Sequence, residues 1–198
     1  MKKQRLTILM DVALVAALMK LISDYHFPWA QTLEDYWAMR SEYIRGGVSV
    51  VWLIALWLGL YRPWDQAERV SPPVVLLGAA RVLCTLMTVS VTFLIINHRK
   101  SWLSQSIYGA VALASAAVDY LLLLCLERAN ADVPGYAEVS RRWRGVLMGA
   151  FIIIAAGLAL TNIKYRRAMW ISTSMAAVYM IVFWVAYRKD KGRLSGNG

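Results

Sequence analysis

Three ionisable residues stand where a hydrocarbon solvent would reject them. Asp11, Arg81 and Asp119 each lie inside a long apolar run. A charged side chain at membrane depth costs about 2.5–3.5 kcal/mol on insertion scales, so such residues are rare, face protein or water, and pair with one another. Depths follow from the helical rise of about 1.5 Å per residue. Asp11 lies roughly 9 Å in from Arg5, Arg81 roughly 12 Å in from Pro73, and Asp119 roughly 10 Å in from Leu126. With helices alternating in direction, all three depths count from the same side. The expectation is that Arg81 bridges one or both carboxylates across three helices, since its guanidinium stays charged and offers a bidentate fork. Such a cluster either fixes helix packing or serves as a proton relay or ion site, and residue types alone support both.

The remaining chemistry-bearing residues point to no catalysis. Lys20, near the far end of the first apolar run, reads as a snorkelling side chain. His26 and His98 fall in outer loops without a partner at ligand spacing, although a loop histidine can sense pH. Cys84 and Cys125 sit in apolar runs and read as core residues without metal-site spacing. There is no nucleophile elbow, no phosphate-cradling glycine loop and no cluster of His and carboxylate ligands, so neither an enzyme nor a metal or cofactor is expected.

These residues need elements to hold them. The chain has 198 residues, 59% of them hydrophobic, and a mean hydropathy of +0.48. A soluble domain holds about 45–50% apolar residues, and a spanning helix needs about 20. The expectation is an all-α polytopic membrane protein with six transmembrane helices. They are predicted at about Arg5–Ser23, Val48–Tyr61, Pro73–Ile96, Trp102–Leu126, Trp143–Leu160 and Ala168–Tyr187. Between the first two, a short interfacial helix is expected over Thr32–Ile44, with Trp29, Tyr36, Trp37 and Tyr43 at the boundary level. Pro63 is expected to stop the second span. Gly109, Ala112 and Ala116 form a small-residue face that permits close helix approach. Residues 1–188 form one transmembrane domain and 189–198 a mobile cytoplasmic tail. The start, MKKQR before an apolar run, imitates a signal peptide. Asp11 interrupts that run and no small-x-small site follows, so a retained helix is expected.

The net charge of +10 would suggest nucleic acid in a soluble protein, but here the basic residues flank helices. With the N-terminus inside, thirteen Lys and Arg fall on inner segments and seven on outer loops. Both termini are therefore expected to be cytoplasmic. Nucleic acid is not an expected partner; the lipid bilayer is.

At Arg5 the chain acquires a resemblance. Arg5-x-x-x-Leu9-Met10-Asp11 resembles the Arg-x-x-x-Phe-Ser-Asp signature of the transmembrane protein 175 family, the lysosomal potassium channel and its bacterial relatives. Leu9-Met10 replaces the Phe-Ser pair. Ser49 and Trp57 match a family Ser and Trp eight residues apart in the second helix; the His that follows in the family is absent, with Leu60 or Tyr61 in its place. Ile107-Tyr108-Gly109 is similar to a recurring Leu-Tyr-small sequence. The resemblance implies a homotetrameric cation channel in a bacterial plasma membrane, with the first helix lining the pore. It implies a passive path for potassium or another monovalent cation, gated by bulky apolar side chains rather than a carbonyl filter. Arg5, Asp11 and Ser49 would share a polar network holding the first helix, with Trp57, Arg81 and Asp119 completing the structural set. The family's constriction positions fall on Ala16, Lys20 and Ser23. Ala is small for such a ring, and four Lys would repel cations. Three- and four-residue spacing adds Ala13 and Ala17 to the candidate face; a shifted register would present Leu14, Leu18 and Leu21. Two other readings stay open: a non-conducting membrane scaffold or sensor, and a proton-coupled small transporter using Asp11 and Asp119.

Overall fold

Among the described residues, six helices account for nearly all of the backbone. The computed structural model describes residues 2–24, 32–98, 101–163 and 168–195. Helices α1 (Lys2–Asp24), α2 (Leu33–Gln66), α3 (Pro72–Asn97), α4 (Trp102–Ala129), α5 (Tyr136–Asn162) and α6 (Ala168–Ser195) follow in order, with no strand among the described residues. Each is long and apolar enough to cross a bilayer. In lipid every backbone amide must be satisfied inside its own segment, and a continuous helix does this. His26 and Trp29 lie outside the described residues, as do the side chains of Tyr36, Trp37 and Tyr43.

The boundaries differ from expectation in instructive ways. The interfacial helix and the second span are one continuous helix, α2, running through Gly46-Gly47. Each glycine costs about 1 kcal/mol in a helix interior, and two of them do not outweigh the helix-forming runs on either side. Pro63 lies inside α2 rather than ending it. Its missing amide falls in the final turn, where the helix is already closing with Ala67 N–H donating to Trp64 O at 3.2 Å. α5 begins seven residues before the expected Trp143, directly after Gly135, whose φ of 76° is the left-handed turn that glycine adopts freely. α6 continues past Tyr187 to Ser195, so most of the expected tail is helical.

Packing explains the order of burial. α4 packs extensively on α3 and on α5, α5 on α6, and α6 on α2. Trp52, Tyr108, Trp143, Leu122, Leu123 and Ile154 are fully buried among them. Gly109, Ala112 and Ala116 are buried as the small-residue pattern anticipates. A Cβ on Gly109 would meet Met169 Sδ at 2.6 Å, so α6 approaches α4 there. α1 stands apart from this core. It packs chiefly on α3 and touches α2 over a shorter contact. Its N-terminal end joins the main core through Leu6, while Ala17 and Leu21 form a separate small cluster with Leu53 and Val89.

One clamp joins the α2–α3 connection to the end of α4. Asn130, buried after the end of α4, accepts from the backbone amides of Glu68 at 2.8 Å and Arg69 at 2.7 Å. Its amide donates to Arg69 O at 3.0 Å and Leu126 O at 2.8 Å. One side chain thus satisfies the α2–α3 connection and the carboxyl end of α4 together.

Candidate functional site

The intramembrane charges fall into two neighbouring arrangements. Arg81 on α3 donates from Nη1 to Asp119 Oδ1 on α4 at 2.7 Å, with both side chains largely buried. A small cleft of about 20 Å³, room for about one water, touches this pair together with Cys84, Thr85 and Ser115. Asp11 on α1 takes a different partner: Trp57 on α2 donates from Nε1 to Asp11 Oδ1 at 3.1 Å. Arg81 also borders a second cleft containing Asp11, so the three ionisable residues do share a level. The bridge expected from Arg81 is made to Asp119, and indole rather than guanidinium holds Asp11.

Two further ties pin the N-terminal half of α1 to the end of α2. Trp64 Nε1 donates to Thr7 Oγ1 at 2.7 Å. Lys3 Nζ donates to Asp65 O at 3.0 Å and also to Ala67 O. Thr7 and Asp11 are four residues apart, and Trp57 and Trp64 seven, so each set lies on one helix face and the two faces meet antiparallel.

The single polar network implied by the resemblance separates into distinct clusters. Ser49 lies roughly 12 Å along α2 from Trp57, too far to join Asp11. It instead meets Thr92 Oγ1, which donates to Ser49 Oγ at 2.9 Å, and Tyr108 Oη at 3.2 Å. Tyr108 stacks near Trp170, with ring centroids 5.0 Å apart. Arg5 belongs to neither cluster; it is exposed and borders an open apolar groove with Leu9, Val70 and Pro72.

The face expected on α1 divides. Ala13 and Ala17 are buried against the rest of the chain, whereas Ala16, Lys20 and Ser23 are exposed. The two Ala turn inward because they share an edge with Leu6 and Leu21, whose burial seats α1. The shifted register fares no better, since Leu21 is buried and Leu14 and Leu18 pack against the same cluster. The outward arc of α1 carries Ile8, Val12, Val15, Met19 and Ile22, all substantially exposed. His98 is exposed, and Cys84 and Cys125 are free, partly buried thiols. Among the described residues no group of three or more His, Cys, Asp and Glu could hold a metal ion.

Sequence reasoning missed the Asn130 clamp and the Thr7–Trp64 tie. Asn130 lies among other polar loop residues and nothing local marks it. Thr7 and Trp64 carry a signal in retrospect, as polar-capable groups in apolar helices need partners.

No family model and no curated protein matches the sequence. The fold has a match. The crystal structure of a lysosomal potassium-selective channel TMEM175 homologue from Chamaesiphon minutus superposes with a TM-score of 0.68 at 15% identity. The match covers 92% of this chain and 98% of that one. Likeness at this identity establishes the architecture. With six apolar helices, it makes this chain an integral, multi-pass, all-α membrane protein.

Proposed function

We propose that the chain is one subunit of a passive channel for potassium or another monovalent cation. Four copies meet along the outward face of α1. The observation that carries this reading is the position of α1, set over nearly the whole chain in the fold of a potassium-selective channel homologue. It is seated on α3 at the edge of the core, and half of its circumference is apolar and uncovered. A helix placed so suits a symmetry axis, where cyclic copies pack alike. The path is edged by Ala16, Lys20 and Ser23, the exposed members of the expected set; Ala13 and Ala17 serve packing within the subunit. Both termini face the cytoplasm, in a bacterial plasma membrane.

Lys20 favours a second reading, a non-conducting relative acting as a membrane scaffold. Four ammonium groups around an axis repel cations, and Ala16 is too small to close a dewetted ring. Purified protein reconstituted in potassium-loaded vesicles separates the two. Passive potassium flux that rises several-fold in Lys20→Ala supports the channel, and no flux in either protein favours the scaffold. Flux that requires a proton gradient would point to the transporter instead. In a background lacking Cys84 and Cys125, Ala16→Cys should cross-link between copies and Ala17→Cys should not. Equal cross-linking of both would remove α1 from the axis as drawn.

A further inference from the structure

The second cleft differs in composition from the lipid-facing surface around it. It occupies about 90 Å³ between the N-terminal half of α1 and the last turns of α2. Trp57, Tyr61 and Trp64 border it, with the acidic residues Asp11 and Asp65. The three rings are spaced by four and three residues, so α2 presents them on one face. Two are fixed: the Trp57 indole by its bond to Asp11, and the Trp64 indole by its bond to Thr7. Tyr61 is about half exposed, its centroid 5.2 Å from that of Trp57.

We propose that this cleft binds a small organic ammonium, either a free quaternary amine or the ammonium of a lipid headgroup. Aromatic rings attract a cation through their quadrupole, and cages of this kind suit quaternary ammonium ions. Carboxylates supply the long-range attraction. The positive groups nearby do not cancel it. Arg81 borders the cleft but is neutralised by Asp119 at 2.7 Å. The ammonium of Lys3 sits on the carbonyls of Asp65 and Ala67, where the negative end of the α2 dipole favours a cation. One positive group therefore faces two carboxylates, and the cleft keeps a net negative charge. Of the oxygens on its walls, Asp11 Oδ1 and Thr7 Oγ1 already accept from the Trp57 and Trp64 indoles, so they are engaged rather than arranged as a shell for an alkali ion. The cleft is distinct from the proposed ion path, since Asp11 and Ala16 lie about 140° apart around α1.

Equilibrium binding of choline tests the site, with 3,3-dimethylbutan-1-ol as its uncharged isostere. The full chain is held in phosphatidylglycerol nanodiscs and titrated calorimetrically. Saturable binding of one choline per chain is expected, with the isostere at least about tenfold weaker. Tyr61→Leu and Asp65→Asn, both at exposed positions, should each weaken choline by about three- to tenfold, and Tyr61→Phe should retain most of the affinity. Nanodiscs containing phosphatidylethanolamine distinguish the sources. A lower apparent choline affinity there, lost in Tyr61→Leu, identifies the headgroup as occupant, and unchanged affinity identifies a free amine. Absence of saturable choline binding, equal binding of the isostere, or wild-type affinity in both variants overturns the site. The measurement needs no flux, so its outcome is independent of whether the chain conducts.

Discussion

Arg81 and Asp119 show how one contact makes two costly residues tolerable. Each alone would leave an uncompensated charge in a low-dielectric interior, and together they form a short, largely buried pair. Replacing either alone, as Arg81→Met or Asp119→Leu, is expected to destabilise by about 3–5 kcal/mol. The double replacement should recover most of that loss, because a packed apolar pair is often as stable as the ion pair it replaces. Thermal unfolding of the four proteins in one detergent measures this; a double variant as unstable as the worse single one would refute it. Asn130 makes the contrasting case. Asn130→Ala leaves the amides of Glu68 and Arg69 and the carbonyl of Arg69 without this partner, while Leu126 O keeps the backbone N–H of residue 130. It should cost about 3 kcal/mol, read as a lowered unfolding midpoint. The first pair was legible in the sequence because charges in apolar runs stand out and helical rise gives their depth. The clamp was not, since Asn130 reaches partners 61 and 62 residues away from within a polar loop.

At the scale of elements, existence was legible and extent was not. Six apolar runs announce six helices because a bilayer admits little else. Their ends depend on tertiary support: α2 crosses Gly46-Gly47, and α5 gains two turns over a stretch whose polar side chains face outward at Arg141 and Arg142. The face of α1 was half legible, because helical spacing groups Ala13 with Ala16 but does not say where the buried edge falls. Close approach between elements also has a test. A Cβ on Gly157 would stand 1.8 Å from Ser172 Oγ and 3.3 Å from the backbone oxygen of Ala168. Gly157→Ala should therefore push α6 from α5 and destabilise by about 1–3 kcal/mol. Gly145 has open space around its Cβ position. Gly145→Ala should be neutral or stabilising by up to about 1 kcal/mol. Unfolding midpoints for the two variants check the contrast.

Across the whole molecule, the supports of α1 are unevenly distributed. Lys3, Thr7 and Asp11 bind its N-terminal half to α2, and Leu6 enters the main core. Its C-terminal half packs on the small group around Ala17 and Leu21. Local opening follows the density of such supports. Amides from Ala16 to Ser23 are therefore expected to exchange with deuterium faster than those from Leu6 to Val12, when followed by mass spectrometry in nanodiscs. Mechanically, the hydrogen bonds of Lys3, Thr7 and Asp11 to α2 anchor α1 at its N-terminal root. Under the proposed function, the stretch carrying Ala16, Lys20 and Ser23 is then the more compliant part of the helix, and a change in aperture is expected there before the anchored root moves.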